Sequence, residues 1–390
     1  RLVNLRRILP PLLLIRLLLL LLRNRSKVKA AVMLVNIRRL FLFTMFFCGL
    51  AFAGPISALN GFLDWMDSCE LASLDTNYVM PHKQWWRIAY INSFSNTNMN
   101  VRSFEPMYGV EGNLNAETRL HLAGSVAFRG LGYTYTYDMD HQDMSMMFNY
   151  YGNVFGGEIL FNRTKSMHGP LSIYNWLELE EELYGLVNTD VDVEGSDMSY
   201  YNVLTDFYVV LNDEKFSFPA ALGYSHLQKK SAGSIILGGG YVYSGTSVRN
   251  PALQYIWGGL KHFSIREAAL GAGYGYNFAY RLGAEHYLLF HFSLVPLVTV
   301  WNYYDDHYEE YQEDASFKER DSDETTWLWD DITNDEIQII WMFRNSLNYN
   351  YKNFFAGMNS FFARQTLSKG DDLDYEVDLW ILRAFVGVRF

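Results

Sequence analysis

From about residue 84 to the C-terminus the chain repeats one pattern. Segments of about ten residues alternate apolar and polar positions and are bounded by Gly, Asn, Asp or Lys. That is the period of a β-strand with two unlike faces. In 335–349, Ile337, Ile339, Trp341, Phe343, Leu347 and Tyr349 share one face, against Gln338, Met342, Arg344, Ser346 and Asn348. In 286–301, Leu288, Phe290, Phe292, Leu294, Val298 and Val300 oppose His291, Ser293 and Thr299. In 266–280, Leu270, Ala272, Tyr274, Tyr276, Phe278 and Tyr280 oppose Glu267, Gly271, Gly273, Gly275 and Asn277. In 199–211, Tyr201, Val203, Phe207, Val209 and Leu211 oppose Asn202, Asp206 and Tyr208. Strands are expected at 84–95, 99–105, 118–128, 130–138, 145–151, 154–164, 198–211, 216–227, 232–246, 266–280, 286–302, 335–349, 354–364 and 375–390. The early segments are candidates for merging, and an even total of about 12, within 10 to 14, is predicted.

The chemistry of the polar face decides which solvent the apolar face meets. A soluble sandwich turns Lys and Glu to water. Here the polar positions are Gly, Ser, Asn and a rare charge, while the apolar face carries large aromatics near strand ends. That fits an all-β, transmembrane antiparallel barrel, apolar to lipid and polar to the lumen. In such a barrel Trp341 is expected in lipid and Arg344 in a wet lumen, where exchange for Gln costs little. Counting back by twos from Phe390 gives Val388, Val386, Ala384, Leu382 and Trp380, all apolar. A terminal aromatic on such a strand resembles the assembly signal of bacterial outer-membrane barrels. Pro219 and Pro296 are expected at bulges.

Placing Phe390 at the periplasm puts 365–374, 303–334 and 247–265 outside and the short turns 350–353 and 281–285 inside, as outer-membrane barrels require. Continued toward the N-terminus, the same count sends the long segment 166–197 to the periplasmic side. Either a strand near Leu171–Leu179 is missing or one is wrongly split.

The N-terminal region differs. Residues 1–53 hold ten Lys and Arg and no acid, although the whole chain has net charge −11. The first Met is Met33. Arg38 and Arg39, the apolar run Leu40–Leu50 and Ala51-Phe52-Ala53 make a secretory signal peptide over 33–53, with cleavage expected after Ala53. The run is far below the ~20 residues of a membrane helix. Residues 1–32 are leucine-rich but broken by Pro10, Pro11 and Arg16; they read as an upstream extension or a gene-start artefact. Residues 54–83 form a periplasmic lead-in, and 84–390 the barrel. Phe46-Phe47 before Cys48 do not fit a lipoprotein site. Cleavage leaves Cys69 alone, so no internal disulfide is expected.

Charge marks two further segments. Residues 303–336 carry fourteen acids and two Lys or Arg, and 177–198 carry eight acids and no base. Both read as solvated acidic loops, with loosely held Ca2+ or Mg2+ as the alternative. No EF-hand spacing is present. An acidic body with scattered bases disfavours nucleic acid.

Candidate chemistry is sparse. Ser225 and His226 are adjacent, so a regular strand sends them to opposite faces. His291 and Ser293 share a face but lie roughly 7 Å apart by strand rise, too far to bond. Gly271-x-Gly273-x-Gly275 lacks the helix and Lys of a phosphate loop and reads as space for packed aromatics. No catalytic, cofactor-binding or metal-binding residue is assigned.

Several stretches carry a resemblance: Asp75-Thr76-Asn77-Tyr78-Val79, Phe128-Arg129-Gly130-Leu131-Gly132, Tyr150-Tyr151-Gly152-Asn153, Asn212–Ser217, and Gln228–Ser234 followed by Leu237-Gly238-Gly239-Gly240. Over roughly 75–390 the chain resembles the bacterial family called domain of unknown function 4421, exported barrel-like proteins with no assigned activity. The resemblance implies location and shape, not chemistry, and leaves 303–336 unmatched. The reading is a non-enzymatic outer-membrane barrel, structural or a narrow pore. Its partners are outer-membrane lipid and, through the strand ending in Phe390, the barrel-assembly machinery. The alternatives are an outer-leaflet enzyme acting on lipid or peptide, and a surface binding module using the acidic loops.

Overall fold

The computed structural model describes residues 61, 63–65, 68, 74–104, 108–137, 143–165, 167–175, 189–256, 259–311, 317–328, 337–369 and 373–390. The chain divides into two units, Arg1–Cys69 and Glu70–Phe390. In the first, the described residues are helical. The signal peptide and the upstream extension lie outside the described residues, as does half of the lead-in. No helix among the described residues is long and apolar enough to cross a membrane, which says nothing of strands.

The second unit is built from strands β1 (Val79–Pro81), β2 (Trp86–Phe104), β3 (Tyr108–Phe128), β4 (Leu131–Tyr137), β5 (Met144–Tyr151), β6 (Phe155–Thr164), β7 (Gly169–Asn175), β8 (Thr189–Val193), β9 (Met198–Val210), β10 (His226–Gln228), β11 (Ala232–Val248), β12 (Leu260–Arg281), β13 (His286–Tyr311), β14 (Phe317–Trp327), β15 (Ile339–Tyr351), β16 (Phe354–Lys369) and β17 (Leu373–Arg389). Twelve of them close an antiparallel barrel in the order β2-β17-β16-β15-β13-β12-β11-β9-β6-β5-β4-β3, with β3 paired back to β2. A closed ladder leaves no unpaired edge.

Two of the fourteen expected segments disappear. Residues 84–95 and 99–105 are one strand, β2, continuous through Asn96-Thr97-Asn98 because β17 pairs with it throughout; a register shift opposite β3 absorbs the irregularity. Residues 216–227 form no wall strand. With both changes the parity conflict vanishes. The strand ends that flank 165–197 lie at the same end as those that flank 249–259 and 370–372, and the short connections 129–130, 152–154, 282–285 and 352–353 lie at the other, with Trp86 and Phe390.

Residues 303–336 are not a plain loop. β13 continues to Tyr311 and β14 pairs with it, so much of the insert is a hairpin rising past the rim. Register sets Asp305 opposite Asp323. Like charges so placed repel, and alternation within the insert is masked by its acid content. Pro296 is not at a bulge. It lies where β12 and β13 skip two pairs without changing register, while Pro296 still faces Trp341 on β15. The shift in β13 lies instead between its Thr299 and Trp301 pairings.

The alternation has the predicted sense. Outward Ile88, Tyr90, Leu122, Phe148, Leu270, Tyr274, Leu347, Phe354 and Val386 are exposed, a continuous apolar belt far larger than a soluble monomer shows. Inward residues are buried, and the lumen is filled. At the end of the long connections Met99, Val101, Leu114, Met167, Leu171, Tyr200, Leu253, Phe263 and Tyr375 form an apolar cap. Deeper, Phe216, Phe218, Ile236, Leu297, Met342 and Ile381 form a second cluster.

Candidate functional site: the plugged lumen

The segment between β9 and β11 fills the lumen near Trp86 and Phe390. Phe216-Ser217-Phe218 alternates like a strand, but Pro219 has no N–H to give a ladder. Pro219–Gly223 coils into one wide turn. Tyr224 ends it in the left-handed region at φ 56°. The small residues Ala220, Ala221 and Gly223 let the turn lie against the wall.

The inward polar residues of the wall fasten this plug. Asn348 Nδ2 donates to the carbonyls of Ala220 and Ala221 at 3.3 and 2.5 Å, and Ser346 Oγ to Ala221 at 2.8 Å. Ser217 Oγ donates to Asn153 Oδ1 at 2.6 Å and accepts Ala220 N–H at 3.1 Å. Arg389 Nε donates to the Tyr224 carbonyl at 2.7 Å, and Asn359 Nδ2 to the Tyr224 hydroxyl at 2.7 Å. The Tyr224 ring lies 5.1 and 4.4 Å from Phe355 and Phe385. Gly275 leaves room for Phe216, whose ring edge would stand 3.1 Å from a Cβ there. At Gly271 and Gly273 a Cβ would run into the backbone of β13 instead, so only part of the expected aromatic packing is found.

The lead-in joins the plug. β1 pairs with β10, Asp75 N–H bonds the Glu214 carbonyl, and His82 N–H the Ser225 carbonyl. Lys215 and Lys230 both lie over the Tyr78 ring, at 5.3 and 5.2 Å. Gln228 Nε2 donates to the carbonyls of Lys215 and Lys230, and its Oε1 accepts from Asn277. Burial first, then Arg389 and Arg87, pushes the His82 imidazole down to about 3. His226 falls to about 3 by burial, then by Arg87 and His82.

Two exclusions made from regular strand geometry are overturned. Ser225 precedes β10 in a bend, and its Oγ lies 3.0 Å from His226 Nδ1. His291 Nε2 lies 3.2 Å from Ser293 Oγ; the side chains lean together along the strand. His291 Nδ1 bonds Asn277 Oδ1 at 2.8 Å. Serine, imidazole and amide thus form a chain in the order of a hydrolytic triad. All three are 0–1% exposed, and Phe216 and Phe218 lie 5.9 and 5.3 Å from the imidazole. At its amide end, Asn277 Nδ2 donates to the Ser217 carbonyl and to Gln228 Oε1, which ties this buried trio to the plug.

The lumen also holds an ionic clamp. Glu158 on β6 and Asp206 on β9 are register partners. Arg344 reaches from β15 on another part of the wall and donates to both, at 3.0 and 2.7 Å. The Tyr151 hydroxyl donates to Glu158 at 2.5 Å. Arg344 is 8% exposed. It is not in a wet lumen tolerant of exchange: removing it would bury two unpaired carboxylates. The parity of Asp206 and Arg344 was legible, but their pairing and the role of Glu158 were not. The available signal is that isolated charges in spanning strands must find partners.

Three lumenal cavities are small. One of about 70 Å3 touches Arg344, Glu158 and Tyr224. Others hold about 20 and 10 Å3. Among the described residues no group of three His, Cys, Asp or Glu could hold a metal ion.

Comparison with known proteins places the chain. The family model described as Domain of unknown function (DUF4421) matches residues 73–390. The chain belongs to this family. Four of the six stretches that carried the resemblance contribute to the plug and its anchors, through Asp75–Val79, Asn153, Asn212–Ser217 and Gln228–Ser234. No curated protein matches the chain. Several solved structures are similar to it. The outer-membrane protease OmpT of Escherichia coli is 10% identical, covering 78% of this chain and 97% of that one, at TM-score 0.40. The autotransporter NalP translocator domain of Neisseria meningitidis is 11% identical, covering 86% and 98%, at 0.25. Ail, the attachment invasion locus protein of Yersinia pestis, is 10% identical, covering 78% and 99%, at 0.19.

Proposed function

We propose that this protein is a structural, non-enzymatic barrel of the bacterial outer membrane whose lumen is held shut. The carrying observation is the plug, Phe216–Tyr224, hydrogen-bonded to β15, β16 and β17 through Asn348, Ser346, Asn359 and Arg389. The exposed apolar belt supports the membrane. Short connections beside Trp86 and Phe390 support a periplasmic plug with the long connections outside. Export through the signal peptide and insertion led by the β17 strand ending in Phe390 complete the reading. The acidic segments serve as a hydrated rim that holds Ca2+ or Mg2+ loosely, if at all.

Conductance of the refolded protein in a planar bilayer tests closure. The natural chain should give no steady current. Replacing Phe216–Tyr224 by a Gly-Ser linker should open a path. A natural chain that conducts as well as the linker variant would refute closure and restore the narrow pore.

A further inference from the structure

The apolar belt is interrupted by a groove of about 390 Å3 on β5, β6, β9 and β11, near the end of the long connections. It is much larger than the cavities inside the lumen. Its chemistry is layered by register. Met146 pairs with Phe161, and Phe161 with Val203, which makes an apolar floor on the side of the membrane. One step toward the rim, Arg163 pairs with Tyr201. Beyond it stand Ser199 and Arg249, whose guanidinium donates to Ser199 Oγ at 3.1 Å.

Several other outward cations are held by carboxylates. Lys261 is bonded to Glu309, Lys352 to Glu285, and Arg364 to Asp378. Neither Arg163 nor Arg249 has a carboxylate partner among the described residues. Asp197 is held beside Arg249 by its backbone, its carbonyl accepting the Arg249 N–H at 2.7 Å, while its carboxylate Oδ2 accepts the Glu194 N–H at 3.4 Å. A groove with an apolar floor toward the bilayer and, toward the rim, two guanidinium groups without a carboxylate partner among the described residues is complementary to an anionic amphiphile.

We propose that this groove binds one net-anionic, phosphate-bearing lipid of the surrounding membrane. Its acyl chain lies on Met146, Phe161 and Val203, and its phosphate between Arg163 and Arg249. The proposal rests on the membrane reading above, and the test separates the two.

The barrel is refolded free of native lipid and titrated with phosphatidylglycerol or phosphatidylcholine of matched chains, and binding is counted by native mass spectrometry. The natural protein should prefer the anionic lipid roughly tenfold or more, as two arginines at a phosphate imply. Arg163→Gln with Arg249→Gln should abolish the preference, and Lys352→Gln at the opposite end should leave it. Val203→Trp should weaken both lipids by filling the floor. Heat-modified gel mobility checks that each variant is folded. Equal binding of both lipids, or equal loss in Lys352→Gln, overturns the groove and leaves the membrane reading intact. A protein that stays in solution without detergent and ignores vesicles overturns both.

Discussion

Trp341 and Arg344 stand three residues apart on β15 and face opposite sides of the wall. Trp341, with Leu347 and Tyr349, is 37–42% exposed, while Arg344, Ser346 and Asn348 are 8% exposed or less. The outer face must only be apolar, because lipid is a solvent without directional demands. The inner face must match particular atoms: two carboxylates at Arg344 and two carbonyls at Asn348. The polar side of this strand is therefore the more specific side.

The sharpest way to break that contrast is Arg344→Gln. It leaves Glu158 and Asp206 buried without their cation, and should cost about 3–5 kcal/mol. Denaturant unfolding of the barrel in vesicles reads it, and removing Glu158 and Asp206 as well should recover part of the loss. A loss under about 1 kcal/mol would return the lumen to a wet, permissive lining.

Next comes the outer face. Trp341→Arg should cost about 2–4 kcal/mol near the bilayer midplane. Trp341→Leu, still apolar, should cost less than about 1.5 kcal/mol. Because an apolar interior would also reject arginine, location is read separately. With the other tryptophans replaced, bromine-labelled lipid should quench Trp341 strongly; a folded protein without quenching would return the face to water.

A smaller effect belongs to the plug. Asn348→Ala removes the donor to Ala220 and Ala221, and should cost roughly 1–3 kcal/mol. Amide exchange should rise in 219–224 and stay unchanged in β12 and β13. Uniform acceleration along the chain would show that the plug is no separate element.

The last concerns acid. His82 and His226 are held neutral when folded, at about 3, against an ordinary value of 6.5. The unfolded chain thus binds more protons between these values, and stability rises with pH across the window. It is complete above about pH 6.5 and declines as the pH falls toward 3. Exchange in 74–83 and 224–230 should quicken first. His82→Gln with His226→Gln should flatten that dependence, and an unchanged profile would assign it to the carboxylates.

Period-two alternation in β9, β12, β13 and β15 was enough to read the barrel, the faces and the approximate strand number, because each pattern is a local response to two solvents. It fails where one local pattern has two possible partners. Phe216-Ser217-Phe218 reads as wall until Pro219 denies it a neighbour, and that single misplacement reversed the side of every earlier connection. The same limit hid Ser225–His226 and His291–Ser293. Both were judged against a regular strand, whereas a bend and leaning side chains bring the atoms together.

What the amino-acid order determined alone is thus the alternation itself: apolar outward positions from Ile88 to Val388, and rare charges left on the inward parity. Which inward residue meets which was decided only by closure. Glu158, Asp206 and Arg344 are separated by up to 186 residues. They meet because a closed ring of twelve strands faces its inward side chains to one another across a narrow space, where a buried charge must find its opposite.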